Sequence, residues 1–279
     1  MNDTATSKSQ PVKGASADFM LGTWKEGQRG MPRAFTQHPV FGMINRKATV
    51  SRKMLESQKH YFKYAKEVGE LYLTGEELGH KDLNVFLECC DVTNRIGTAA
   101  FHTSKNAFLK RLGHSTGGKA VLQLVESLNR LKSYEVTLRF KGRNYTTTLI
   151  KGFSSGKGGL DVELDERLPD LFTVMPVVFL NKKKRMALKS DLEKCIHSYV
   201  SAHSSTVDKP SHVKIDKLKV ICRSGATDKR FNSALKLAMK ELLKAKVIVK
   251  WEFKHSDTTL MYVRSKAANR VKKENAIWD

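Results

Sequence analysis

Seven residues, Gly113-His-Ser-Thr-Gly-Gly118-Lys119, carry the GxxxxGK spacing of a phosphate-binding loop. In such a loop, glycine amides and a lysine hold the phosphates of a nucleotide. That chemistry also needs a Ser or Thr in the next position to hold Mg²⁺, and a strand leading into the loop. Ala120 stands in that position and helical spacing precedes the loop, so the run is expected to be a turn. Lys157, in GFSSGKGG, misses the spacing outright. The nine histidines show no HxH, HxxxH or HxxxxH pair, and His197 and His203 lie six apart with Tyr199 between them. A DNA-nicking enzyme would need paired histidines holding a metal beside a nucleophilic tyrosine. Cys89, Cys90, Cys195 and Cys222 form no CxxC pair and no zinc spacing, so they read as reduced, mostly buried thiols. No Ser-His-Asp arrangement is supported. The expectation is therefore no catalytic residue, no metal, no cofactor and no enzyme.

Charge is what remains. Fifty Lys and Arg stand against 28 Asp and Glu, a net +22, which points to a polyanionic partner. Residues 181–279 hold 24 of the bases and 10 of the acids, so the C-terminal third carries +14 of the total. The longest uncharged apolar stretch, Leu171 to Leu180, is interrupted by Pro176 and has half of the roughly 20 residues a membrane span requires. The polar start MNDTATSKSQPVKGASADF has neither a signal-peptide core nor a transit-peptide pattern, so a cytoplasmic location is expected.

The elements that must present this charge follow from hydrophobic spacing. Residues 1 to about 31 read as a mobile arm. Residues 51–66 (SRKMLESQKHYFKYAK) read as a helix or a basic lead-in, and Glu70 to Gly75 as a short strand. Leu83, Phe86, Leu87 and Cys90 recur as a helical stripe. Ser104 caps a short helix, the 113–118 run turns, and a third helix runs from Gly118 to Lys132 before a hairpin over 134–150. The order then repeats. Ser190 and Glu193 form a capping box, a short helix spans Val213 to Arg223, Ser224–Ala226 turns, a long helix runs from Asp228 to Ala245, and a hairpin closes. Three helices and a β-hairpin, twice, predict an α+β chain of two tandem winged-helix domains. Two unrelated α+β domains fit the same order. The expected division is an N-terminal arm over 1–40, a first domain over 41–175 that makes the weaker DNA contact and also serves protein contacts, and a second, more basic domain over 176–279 that carries the main DNA contact.

On the last helix Phe231, Leu235, Ala238 and Leu242 fall on one side, while Lys229, Ser233, Lys236 and Lys240 lie near the opposite pole. A helix lying in the major groove needs that combination: a core stripe behind, and short polar and cationic groups in front. Thr227, Lys229, Arg230, Asn232, Ser233, Lys236 and Lys240 are the expected DNA contacts on the helix, with Lys250 and Lys254 on the wing. The first domain offers Ser115, Thr116, Lys119 and Gln123 on its helix and Lys141, Arg143 and Asn144 on its hairpin, but Glu126 makes that face the weaker match to a polyanion.

The runs LYLTGEEL, DLNVFLECC, AAFHTSKNAFLKRLGHSTGGKAVLQLVESLNRL, KSDLEKCIHSYVSAHS and DKRFNSALKLAMKELLKAKVIVKWEF span roughly residues 40 to 265. Together they resemble the TrfA-like plasmid replication initiators. The resemblance implies paired winged-helix domains that bind direct repeats (iterons) in double-stranded plasmid origin DNA and open the adjacent AT-rich duplex. It further implies contacts with the host replicative helicase and the host origin-binding initiator, and a homodimer in equilibrium with an active monomer. The alternative reading is a winged-helix transcriptional repressor.

Overall fold

The computed structural model describes residues 10–11, 19–44, 52–64, 67–157 and 159–265. Residues 1–9 and 12–18 of the expected arm, and 266–279 of the expected second domain, lie outside them. The chain is a mixed α+β protein. It opens with β1 (Gln10–Pro11), β2 (Gln28–Pro32), α1 (Arg33–Gln37), β3 (Phe41–Gly42), β4 (Met54–Tyr64), β5 (Glu67–Glu76) and β6 (Leu78–Gly79). Next come α2 (His80–Ile96), β7 (Ala100–Thr103), α3 (Lys105–Arg111), α4 (Gly118–Ser133) and the hairpin of β8 (Glu135–Phe140) and β9 (Arg143–Thr148). A second hairpin, β10 (Gly152–Gly156) and β11 (Gly159–Glu163), leads through α5 (Leu168–Val174) and β12 (Val177–Asn181) to α6 (Lys182–Ala187). The remainder is α7 (Asp191–Ser201), β13 (Ser211–Lys214), α8 (Ile215–Ile221), α9 (Asp228–Lys244) and the hairpin of β14 (Ile248–Lys254) and β15 (Thr259–Arg264).

The repeated order holds, with a strand in each copy that periodicity did not reveal. The order α2-β7-α3-α4-β8-β9 runs parallel to α7-β13-α8-α9-β14-β15. The copies diverge in pairing. In the second, β13 joins its own hairpin as a three-stranded sheet, β13-β15-β14. In the first, β7 pairs instead with β11 and β1, and the hairpin extends a different sheet, β4-β5-β8-β9.

Three expectations are corrected. Residues 54–64 form strand β4 rather than a helix: Leu55 and Phe62 are buried while Lys59, Tyr61 and Lys63 face solvent. Lys, Glu and Gln suit a helix, but burying these apolar groups against β5 outweighs that weak preference. The arm does not extend to residue 40, because Phe19, Leu21, Met31 and Phe35 are buried in the first core and β2 pairs with β12. Nor does a second unit begin at 176, since Val178 and Leu180 belong to that same first core. One apolar core runs from Phe19 to Leu180 and another from Leu188 to Tyr262, so the change of core falls within α6. The 151–180 segment supplies β10, β11, α5 and β12 to the first unit.

Two buried ion networks tie these elements down. Glu88 of α2 takes Arg29 at 3.1 Å, Arg111 at 2.7 Å and Lys182 at 3.0 Å, and neighbouring Asp91 takes Arg29, Arg95 and Arg111. Burial alone would raise the Glu88 carboxyl, but Arg29, Lys182 and Arg111 together hold it below the usual carboxylate range. Asp82, in the first turn of α2, accepts the Gly79 amide at 2.8 Å and pairs with Arg52 and Arg130.

Two arginines bridge the two cores, beside apolar contacts such as Met43 on the second core and Ala202 on the first. Arg185 of α6 is buried and donates to Asn84 and His80 of α2 and to Ser198 and the Lys194 carbonyl of α7. Burial draws its pKa down to about 10. Arg223, just past α8 and in the left-handed region at φ +51°, donates to the carbonyls of Pro39, Val40 and Leu78. Its aliphatic stem lies where a Cβ on Gly42 would fall, at 2.8 Å, so only glycine lets this arm cross β3.

Candidate nucleic-acid interface

The second unit presents its charge through α9. The backbone turns after α8 at Arg223, the Ser224 amide returns to the Lys219 carbonyl, and Thr227 takes extended angles to start α9. Phe231, Leu235, Ala238, Met239 and Leu242 are buried, which fixes the opposite face outward. Lys229, Arg230, Ser233 and Lys240 are exposed there, as is Thr227 at the helix start. Among the described residues, Lys229, Arg230, Lys240 and Lys250 have no ion-pair partner. Their ammonium and guanidinium groups face solvent, where an anionic partner can reach them.

Two of the expected contacts have other work. Lys236 pairs with Asp257 at 2.7 Å and lies 5.1 Å above the centre of the Phe253 ring. Asn232 donates its amide to the Asp257 carbonyl at 3.3 Å. Asp257 closes the tip of the β14–β15 hairpin, where His255, Ser256 and Asp257 all have φ between 52° and 63°. Three consecutive non-glycine residues in the left-handed region cost energy, and they persist only where other contacts hold them. Lys236 and Asn232 provide that hold, so the hairpin tip is latched to α9. Nothing in the order His-Ser-Asp reveals this beyond its tendency to turn. Lys254 is exposed and paired with Glu252 at 2.5 Å, while Lys250 projects freely from β14.

In the first unit, Ser115, Thr116 and Lys119 are exposed around the start of α4, and Gln123 accepts a 3.5 Å hydrogen bond from Lys81. The hairpin turns at Lys141 and Gly142, both at positive φ, leaving Lys141, Arg143 and Asn144 exposed. Positive φ at both central residues is the tight-hairpin geometry that matches strand twist. Glu126 is exposed on α4, so this face remains mixed in sign, and Arg130 is drawn away to Asp82.

The glycine run ahead of Lys119 follows α3, a helix, and α4 starts at Gly118 with no side-chain cap. With Ala120 after Lys119, no hydroxyl stands ready for Mg²⁺. Calorimetric titration with ATP·Mg²⁺ at 150 mM salt is expected to show no Lys119-dependent binding. Micromolar binding that Lys119→Ala abolishes would refute the turn assignment. Among the described residues there is no cluster of metal-ligating side chains and no helix long and apolar enough to cross a membrane.

Among solved structures, the fold is similar to crystal structures of domains 2 and 3 of RctB, one of them a selenomethionine derivative. The derivative matches with a TM-score of 0.53 at 11% identity, covering 85% of this chain and 99% of that one. The other matches with a TM-score of 0.53 at 12% identity, covering 82% and 95%. At such identities the likeness is one of fold. No curated protein matches the sequence. The family model described as TrfA protein matches residues 5–259, a span that takes in the first core, nearly all of the second, both arginine clamps and the latched helix. The chain belongs to the TrfA family, the plasmid replication initiators that its sequence resembles.

Proposed function

We propose that each half of this initiator is a winged helix, and that the pair binds iterons in double-stranded plasmid origin DNA, with α9 in the major groove and the β14–β15 wing on the flanking backbone. The observation that carries this reading is the exposed row Lys229, Arg230, Ser233 and Lys240, whose three cations have no ion-pair partner, on a helix whose other face is committed to the core. Affinity comes mainly from phosphate neutralisation, and discrimination between sequences comes from the N-terminal half of α9. The α4 face is the weaker DNA contact, and the first unit also carries the self-association surface of a dimer that must dissociate to bind. Duplex opening is driven by binding energy and DNA deformation rather than catalysis. The opened origin then recruits the host replicative helicase and the host origin-binding initiator in the bacterial cytoplasm.

Lys229→Ala and Arg230→Ala are expected to cost about 1–3 kcal/mol each and to relax preference at single base positions. Lys240→Ala and Lys250→Ala are expected to weaken all sequences alike and to reduce the salt slope by about one. Lys236→Ala has a third signature, because it releases the latch: the wing contacts weaken together. Fluorescence anisotropy on repeat-bearing and scrambled duplexes over a range of salt concentrations reads all three. Should Lys229→Ala and Arg230→Ala together leave affinity and specificity unchanged, α9 is a solvated face and the role passes to α4.

A further inference from the structure

Leu237 is 64% exposed in the middle of the cationic face of α9. It continues the i, i+4, i+8 row of Lys229 and Ser233, and Lys240 follows it one turn on. The polar groups nearest the middle of that row are largely occupied. Ser233 donates its hydroxyl to the Lys229 carbonyl at 2.9 Å, and Lys236 leans away to Asp257. A recognition helix reads base edges mainly with its N-terminal half, and Leu237, one residue past the midpoint of α9, lies where that half ends. At its centre, then, α9 offers a leucine side chain rather than a hydrogen-bond donor.

The first unit carries a parallel feature. The buried positions 124, 127, 128 and 131 of α4 repeat the spacing of 235, 238, 239 and 242 on α9. On the outward side of α4 lies Leu122, 66% exposed, which in that register matches Ser233 rather than Leu237. Single exposed leucines are common on protein surfaces. Leu237 lies on a face that otherwise carries Lys229, Ser233 and Lys240, and Leu122 on a face that otherwise carries Lys119 and Gln123, so on each helix an apolar group lies among the groups assigned to DNA and would be matched by an apolar partner there. The floor of the major groove has one such feature, the C5-methyl group of thymine.

We propose that Leu237 reads a thymine methyl group in the bound repeat, and that Leu122 reads a second thymine from α4. The proposal rests on the groove reading of α9 given above. The probes are duplexes selected by the full chain from a randomised library, then resynthesised with deoxyuridine in place of one thymidine at a time, which removes only the methyl. The wild-type chain is expected to lose affinity about fourfold at one thymine facing α9, the equilibrium equivalent of one buried methyl group. Leu237→Ala is expected to bind that thymine and uracil pair equally, while Lys240→Ala retains the difference. Leu122→Ala removes the difference at another thymine. Equal binding of every pair by the wild type overturns the proposal, as does discrimination at every thymine that survives Leu237→Ala. Unchanged discrimination with loss of plasmid replication in Leu237→Ala also overturns it, and assigns the leucine to a protein contact. Failure of the groove reading is separable, because Lys229→Ala and Arg230→Ala would then leave affinity intact as well.

Discussion

Glu88→Ala is expected to destabilise the protein by about 3–5 kcal/mol, the usual cost of breaking a buried ion pair from one side. The Glu88 carboxylate is the common partner of Arg29 on β2, Arg111 at the end of α3 and Lys182 at the start of α6. Arg29 is only 5% exposed, so losing this partner leaves it with Asp91 as its one carboxylate, the Gln28 carbonyl, and little access to water. Glu88→Gln keeps the shape and removes the charge, and it is expected to cost nearly as much, because three cations then converge on a neutral amide. The contrast is Glu163→Ala, which removes an exposed pair with Lys151 and is expected to cost less than about 1 kcal/mol. Urea unfolding of the three variants measures this directly. A Glu88→Gln variant as stable as the wild type would mean that packing, not charge, holds β2 and α6 to α2.

The second large effect is on pH. His80 and His197 are fully buried near the junction of the cores, and burial holds both well below the ordinary histidine value. Neighbouring cations add to the shift: Arg185, Lys194 and Arg223 act on His80, and Arg185, Arg264 and Lys184 on His197. The geometry at His80 requires a neutral ring. The Arg185 guanidinium can only donate, so His80 Nδ1 must accept at 3.1 Å. Because the folded pKa is depressed, the unfolded chain takes up protons near pH 6.5 that the folded chain refuses. Stability is therefore fully present above about pH 7 and falls below it. Two such histidines give a slope of about 2.7 kcal/mol per pH unit between roughly pH 6 and 5. His38, lowered to about 4 by burial, by His60 and by Lys217, steepens the slope. The depressed Asp82 and Glu88 carboxyls act in a separate window, keeping their contribution until the pH falls below about 4. Urea midpoints at pH 7.5, 6.0 and 5.0 test the slope. His80→Asn, which keeps an acceptor for Arg185, is expected to flatten it by about one proton's worth. A flat profile from pH 7.5 to 5.0 in the wild type would show that these rings are solvated.

The amino-acid sequence by itself determined helices α2, α3, α4, α7, α8 and α9, both closing hairpins and the face of α9 that meets the core, but not the short helices α1, α5 and α6. These follow from local rules. Leu83, Phe86, Leu87 and Cys90 recur at helical spacing, Ser190 and Glu193 satisfy each other's exposed amides, and alternation along 134–140 marks a half-buried strand. Charge was equally legible, since it needs no geometry to count. Tertiary structure decided what depends on partners far away in the chain. Strand β4 reads as helical locally and becomes a strand only because β5 offers it an edge and a core. Residues 19–40 read as an arm because their apolar groups have no period, yet they are buried because β12, about 150 residues on, pairs with β2. Lys236 and Lys240 look alike on a helical wheel, and only the fold brings Asp257 to one and leaves the other to solvent. Arg29, Arg185 and Arg223 count in the sequence as surface cations. Burial beside Glu88, His80 and the carbonyls of 39 and 40 removes them from the DNA-facing charge and makes them the joints of the molecule. A side chain's type states what it can bond to, and the distance to its partner, set by the whole chain, decides whether that bond goes to the protein or to DNA.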